Sequence, residues 1–273
     1  VLGKVKLKNL TAAHVRGLYR QKLDAGLSPR SVQYVHVTLH KALKQAVRDG
    51  LVPRNATESV KPPQVRREEI RPLTPEQVKT LFEAAKGDRL EALYVLAVTT
   101  GLRQGELLGL KWDDVDMEAG TLQVRRTLTT AKGGPVLSAP KTKGSRRTVK
   151  LSQTALEALR SHLARQLEEI GRVGSLWREN SLIFASEVGE PLRRQYVTAR
   201  RFKPLLRRAG LPEIRFHDLR HTCATLLLTK NVNPKVVSEM LGHASIAITL
   251  DTYSHVLPTM QESAAKAMED ALS

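Results

Sequence analysis

The chain has 273 residues, 41% hydrophobic but only 4% aromatic, so it can build a real core mainly of Leu, Val and Ala. No apolar run approaches the roughly 18 residues of a membrane span, no signal peptide opens the sequence, and a lone Cys223 excludes an intramolecular disulfide framework and suits a reducing cytoplasm. Lys and Arg number 44 against 27 Asp plus Glu, a net +17 interspersed with apolar positions, which points to a polyanionic partner, nucleic acid first.

The chain opens on Val1 rather than Met and is read as a piece with something upstream missing. Thr11 to Leu23 predicts a short helix closed by the Ala25-Gly26 turn. Val32, Val35, Leu39, Leu43 and Val47 form one stripe of a longer helix that starts at Ser28-Pro29 and stops at Gly50. Two helices are too few to enclose a core alone, so this module, residues 1–65, is expected to lean on something else or to have lost helices at its start. Lys61-Pro62-Pro63 to Pro72 is polar and proline-bearing; the linker is set at 66–73. Thr74-Pro75-Glu76-Gln77 then restarts helix, with Thr74 as N-cap and Gln77 in capping-box position, so a second domain runs over 74–273.

That domain reads as helical with a β interlude. Thr121 to Thr130 and Arg146 to Leu151 alternate and are β-branched, which predicts a small antiparallel sheet with turns at Lys132-Gly133-Gly134-Pro135 and Lys143-Gly144-Ser145. Leu156 to Ile170 marks a long helix stopped by Gly171, and Ser263 to Leu272 a short Ala-rich one. The fold class is therefore mainly α with a small antiparallel β-sheet (α+β).

Three stretches carry chemistry. In Thr100-Gly101-Leu102-Arg103-Gln104-Gly105-Glu106 an apolar helix, Leu90 to Val98, ends at a glycine turn and Arg103 opens the next helix, an arrangement that suits phosphate. In His217-Asp218-Leu219-Arg220-His221, His217 and Arg220 share a helix face. In Leu241-Gly242-His243-Ala244-Ser245, Gly242 ends one helix and Ser245 caps the next, which bears Tyr253. A phosphodiester transition state places charge on the non-bridging oxygens, which two arginines can clamp bidentately, as lysines cannot. A phenol is a poor nucleophile until its proton is withdrawn, and cations and histidines around it supply that help. His217, His221, Cys223, His243 and His255 also invite a metal reading, set aside because Arg220 would put positive charge beside the ion.

Taken together and in this order, the three stretches resemble the tyrosine recombinases, the phage-integrase family. The resemblance implies a two-domain architecture, a helical core-binding domain at 1–65 and a catalytic domain at 74–273. It implies that Arg103 and Arg220 clamp the scissile phosphate, that His217 and His243 complete the pocket, and that Tyr253 forms a 3′-phosphotyrosine link without metal or ATP. Glu106 matches the family's acidic supporting position. Pro140 to Arg147 matches the turn that carries the family's catalytic lysine, with Lys141 the choice and Lys143 two residues away; Lys143, Arg146 and Arg147 are expected to contact the DNA backbone. It further implies double-stranded recombination sites as partner, a homotetramer on two duplexes, no cofactor, no membrane, and a bacterial or phage-encoded protein acting in the cytoplasm. The C-terminal helix either docks on a neighbouring protomer, as in relatives, or folds back on its own domain. A helix-turn-helix regulator would explain the charge but gives no reason for Arg103, Lys141 and Tyr253, and a type IB topoisomerase would not pair sites.

Overall fold

The structure is a computed structural model that describes residues 2–65, 70–131, 133–139, 146–254 and 259–272. The chain divides into two compact units, Val1–Glu69 and Ile70–Ser273. In the first, α1 (Ala12–Asp24) starts where Thr11 Oγ1 accepts from the His14 amide, and α2 (Pro29–Arg48) starts where Ser28 Oγ accepts from the Ser31 amide. Val15, Leu18 and Tyr19 of α1 pack on Val32 of α2. A third wall, unforeseen in a reading that found only two helices, comes from the irregular segment after α2: Val60 joins this core, and Thr57 Oγ1 and Asn55 Nδ2 bond the His40 ring Nδ1 and backbone carbonyl at 2.8 and 3.2 Å. Polar bonds thus hold a stretch that has no hydrophobic periodicity to announce it.

The second unit begins before its first helix. Leu73, read from sequence as linker, is buried, and its amide donates to Thr222 Oγ1 at 3.0 Å. In α3 (Pro75–Ala85) Thr74 and Gln77 form the expected reciprocal cap. Helix α4 (Glu91–Thr100) is buried from Ala92 to Val98, so it needs no polar face and forms the axis against which α3, α6 and α9 pack. It ends at Gly101, whose φ of 61° is left-handed, and α5 (Gln104–Leu108) follows at once. A Cβ on Gly101 would collide with Leu241 Cδ2 and come 3.2 Å from Cys223 Sγ. Gly101→Ala is therefore expected to destabilise by about 1–3 kcal/mol, backbone strain and overpacking acting together. Denaturant midpoints would measure it; an unchanged midpoint would show that the α4–α5 corner yields freely.

The β interlude divides where the sequence suggested continuity. β1 (Val115–Asp116), β2 (Thr121–Val124) and β5 (Arg147–Lys150) form one antiparallel sheet in the order β1-β2-β5, while β3 (Thr127–Ala131) and β4 (Gly134–Ser138) form a separate hairpin. The break falls at Arg125-Arg126, where Arg126 Nη1 turns to the buried Asp114 carboxylate at 2.6 Å. Register sets Val124 opposite Arg147 and Leu122 opposite Val149. Helix α6 (Gln153–Val173) runs through Gly171 and stops at Gly174, φ 58°. Gly171 is merely a weak helix residue, whereas a stop needs a backbone that leaves the helical region. One helical rod then comprises α7 (Arg194–Tyr196), a wider π turn at Val197–Phe202 and α8 (Lys203–Arg208). Pro204 lacks the amide that would close a regular turn there. Helices α9 (Asp218–Thr229), α10 (Pro234–Leu241) and α11 (Ile246–Tyr253) follow as helix, turn, helix, turn, helix, and α12 spans Thr259–Leu272.

Candidate active site

The Gly101 turn aims the chain so that Arg103 stands at the mouth of α5. Its amide and its Nη1 both donate to Glu106, at 3.0 Å to Oε2 and 2.8 Å to Oε1, and its Nη2 donates to the Gly242 carbonyl at 3.1 Å. The Arg103 side chain keeps 40% exposure while that of Glu106 keeps 5%. Glu106 is held from its other side by Arg147, whose Nη2 donates to Oε2 at 2.9 Å. Burial alone would raise this carboxyl's pKa; the Arg147 bond and charge, then those of Arg103, outweigh it and hold Glu106 below the usual carboxylate range.

Arg147 corrects an expectation. Rather than reaching outward to DNA, its side chain is 8% exposed, and its Nε donates to the Met240 carbonyl at 2.6 Å. The register of β5 against β2 turns it towards α10, where Glu106 neutralises it. A Cβ on Gly242 (φ 68°) would lie 2.8 Å from Arg147 Nη1, so this guanidinium lies against the glycine turn that ends α10. Its neighbour Arg146 is exposed. Lys141 and Lys143 fall outside the described residues.

Arg220 sits in the first turn of α9 and is 3% exposed. Its Nη1 donates to the carbonyls of Gly101, at 2.8 Å, and Leu241, at 2.7 Å. Those carbonyls lie at the C-terminal ends of α4 and α10, where helix dipoles favour a cation. Burial first and Arg103 second bring its pKa down to about 10, so it remains charged at neutral pH. Its Nη2 is buried and has no hydrogen-bond acceptor among the described residues. Leaving a charged donor unsatisfied costs more than the net worth of a bond, so this group calls for an anionic partner.

Two imidazoles border the arginines. His217 stands at the N-cap of α9, and His243 in the α10–α11 turn bonds the buried Thr249 Oγ1 through Nδ1 at 2.7 Å. Burial pushes each down to about 4, helped by His221 and Arg220 for His217, and by Arg220 and Arg103 for His243. Both are neutral at pH 7 and can donate a hydrogen bond. An unfolded chain binds protons on these rings as pH falls through about 6.5, but the folded chain resists until about 4. Stability is therefore full above pH 6.5 and is lost as pH falls from 6.5 towards 4. Partial exposure reduces the effect to on the order of 1 kcal/mol for each ring. Melting the wild type and the His217→Asn, His243→Asn double variant at pH 7.5 and 5 tests this: the variant should lose less on acidification, and an equal loss would contradict it.

Tyr253 ends α11. Its ring is 1% exposed in a small apolar cluster with Ala224, Leu228, Val237 and Leu241. Its hydroxyl lies on the polar side of that cluster, 2.8 Å from His221 Nδ1. The rings of His217, His221 and Tyr253 form a row, with centroids 5.1 and 5.7 Å apart. Burial pushes the phenol up to about 12, although Arg220 pulls the other way. In the sequence His221 stands out only as a metal candidate; its spacing of four from His217 and its adjacency to Arg220 are the signals that point to this site. Among the described residues no group of three His, Cys, Asp or Glu is placed to hold a metal ion, and burial pushes the Cys223 thiol up to about 12.

These side chains come from four separate places in the chain, and the model of the phage integrase family matches residues 71–260. The chain belongs to the phage integrase family. It is 34% identical to a XerC-like tyrosine recombinase of Caldanaerobacter subterraneus, over 97% of this chain and 72% of the relative. It is 29% identical to the ICEBs1 integrase of Bacillus subtilis, over 98% and 73%. In fold it is similar to the Tn1549 transposon integrase in complex with transposon right end DNA, with a TM-score of 0.83 at 22% identity over 100% of this chain and 89% of that one. A lambda integrase dimer bound to a COC′ core site gives 0.62 at 24% identity, over 90% and 80%. Its function is that of a tyrosine recombinase, and its mainly α fold with small antiparallel sheets is theirs. Among the described residues of this integrase, no helix is long and apolar enough to cross a membrane.

Proposed function

We propose that this recombinase cleaves and rejoins duplex DNA at specific sites by transferring a backbone phosphoryl group to Tyr253. Arg103 and Arg220 bind the non-bridging oxygens of the scissile phosphate, and neutral His217 and His243 donate the remaining hydrogen bonds. Glu106 with Arg147 behind it holds Arg103 in place. The phenol oxygen forms a bond to phosphorus, the bond to the 5′-oxygen breaks, and Lys141 gives that oxygen a proton; the 5′-hydroxyl of a partner duplex later reverses the step. Each exchange conserves the phosphodiester bond energy, so no nucleotide is consumed. The observation that carries this reading is the buried Arg220 Nη2, a charged donor with no acceptor among the described residues, beside a second, half-exposed arginine and two neutral imidazoles. A phosphate oxygen supplies what the donor lacks.

By family resemblance, residues 1–65 form a core-binding domain that contacts DNA, and residues 74–273 the catalytic domain. Lys143 and Arg146 lie along the backbone. The working assembly is a homotetramer on two duplexes, with α12 docking on a neighbouring protomer, and the protein acts in the cytoplasm. The exposed Met268 and Leu272 of α12 support a helix that seeks a partner surface.

The test is covalent capture. The protein is incubated with a pool of nicked duplexes randomised around the nick, in the presence of a strong chelator, and covalent protein–DNA adducts are recovered and sequenced. The expected result is a family of related sequences joined to protein at one strand position. No adducts, or adducts only when divalent metal is restored, would reject the reading.

A further inference from the structure

The proposed cleavage needs a group to take the phenolic proton, and the roles named above leave that group open. Among the described residues, the side chain bonded to the reacting oxygen is His221, whose Nδ1 lies 2.8 Å from Tyr253 Oη. We propose that His221 is a catalytic residue of this recombinase, the base that accepts the Tyr253 proton during attack and returns it when the strand is rejoined. This rests on the reading of Tyr253 as nucleophile.

In the Nε2–H form the ring presents its Nδ1 lone pair to the phenol. As the oxygen bonds to phosphorus, the O–H bond breaks and a Nδ1–H bond forms, while the departing 5′-oxygen is protonated by a separate donor. In the reverse step the imidazolium returns the proton to the leaving phenolate. The surroundings suit both states. Burial lowers the ring's pKa and keeps it neutral before attack. The buried Asp218 carboxylate, one turn before it on α9, favours the cation once formed, and Arg215 fixes that carboxylate with bonds of 2.9 and 3.2 Å. Among the described residues, the other charged or titratable groups facing the ring are His217 and Arg220 on its own helix and its cap, Arg215 before it, Tyr253 from α11 and His243 from the α10–α11 turn. A phenol buried and raised to about 12 would not ionise unaided at neutral pH, so a base bonded to it has a task to perform.

The test measures single-turnover adduct formation on a duplex chosen by the covalent capture described above. It compares an ordinary phosphate with a 5′-phosphorothiolate at the same position, whose sulfur leaves without a proton. His221→Ala and His221→Gln are both expected to be slower by roughly a hundredfold or more, because glutamine keeps a hydrogen bond but cannot take the proton. Their deficit should persist on the phosphorothiolate, where a loss of the leaving-group acid would be rescued. Melting temperature and DNA affinity are read alongside, and the near-isosteric glutamine variant carries the test if alanine unfolds the site. A glutamine variant as fast as wild type, a faster alanine variant, or a deficit that vanishes on the phosphorothiolate would overturn the proposal. A wild type that forms no adduct through Tyr253 would instead reject the nucleophile assignment.

Discussion

Replacing Tyr253 with Phe is expected to abolish covalent protein–DNA adducts while leaving fold and DNA affinity nearly intact. Phenylalanine refills the space among Ala224, Leu228, Val237 and Leu241, so no cavity opens. What is lost is the bond to His221, about 1 kcal/mol of stability at a part-buried site. Affinity is set by the basic surface of a chain with net charge +17, and a neutral hydroxyl contributes little to it. Chemistry, by contrast, has no substitute for the hydroxyl, because water admitted to the pocket would release a phosphate rather than form a protein link. Gel-resolved adducts with wild type and none with the variant, at equal binding, are the expected pair of results. Adducts that persist would move the nucleophile to another residue.

The second large effect concerns Arg220. Its alanine variant should cleave roughly a hundredfold or more slowly, on the scale of losing one transition-state donor. Lysine should not restore it. A single ammonium cannot bond the Gly101 and Leu241 carbonyls and also present a planar fork to phosphate. Folding must be followed separately, since two opposing terms meet here. Removing the guanidinium leaves two carbonyls unpaired, about 1–3 kcal/mol, but relieves its repulsion with Arg103 and Arg147. Single-turnover cleavage at saturating protein separates the two. A merely severalfold loss with alanine would undo the assignment of Arg220 to the phosphate.

Much of this site was legible because its chemistry is local. Thr74 with Gln77, Ser28 and Ser245 are caps whose hydrogen bonds close within three residues, and each starts a helix. Gly101 and Gly242 have the left-handed backbone that a helix stop requires. What could not be read depends on partners distant in the chain. Whether Thr121 to Thr130 was one strand or two turned on Asp114 and on which segments pair. Arg147 looks like any other basic residue after a turn, and only its pairing opposite Val124 and the carboxylate of Glu106 explain why it points inward. His221 lies 32 residues from the phenol it contacts, and no local pattern records that distance. The third wall of the first unit escaped notice for the same reason, being held by His40 rather than by an apolar stripe.

The arrangement as a whole makes one demand on the chemistry: guanidinium groups, neutral imidazoles and a stowed phenol must meet at a single phosphorus atom. Mass-spectrometric mapping of the DNA-linked peptide from trapped wild-type protein tests that demand most directly. The expected result is one modified peptide, with the DNA 3′-phosphate esterified to Tyr253 and a free 5′-hydroxyl on the released strand. Attachment through any other residue, or to a 5′-phosphate, would contradict it.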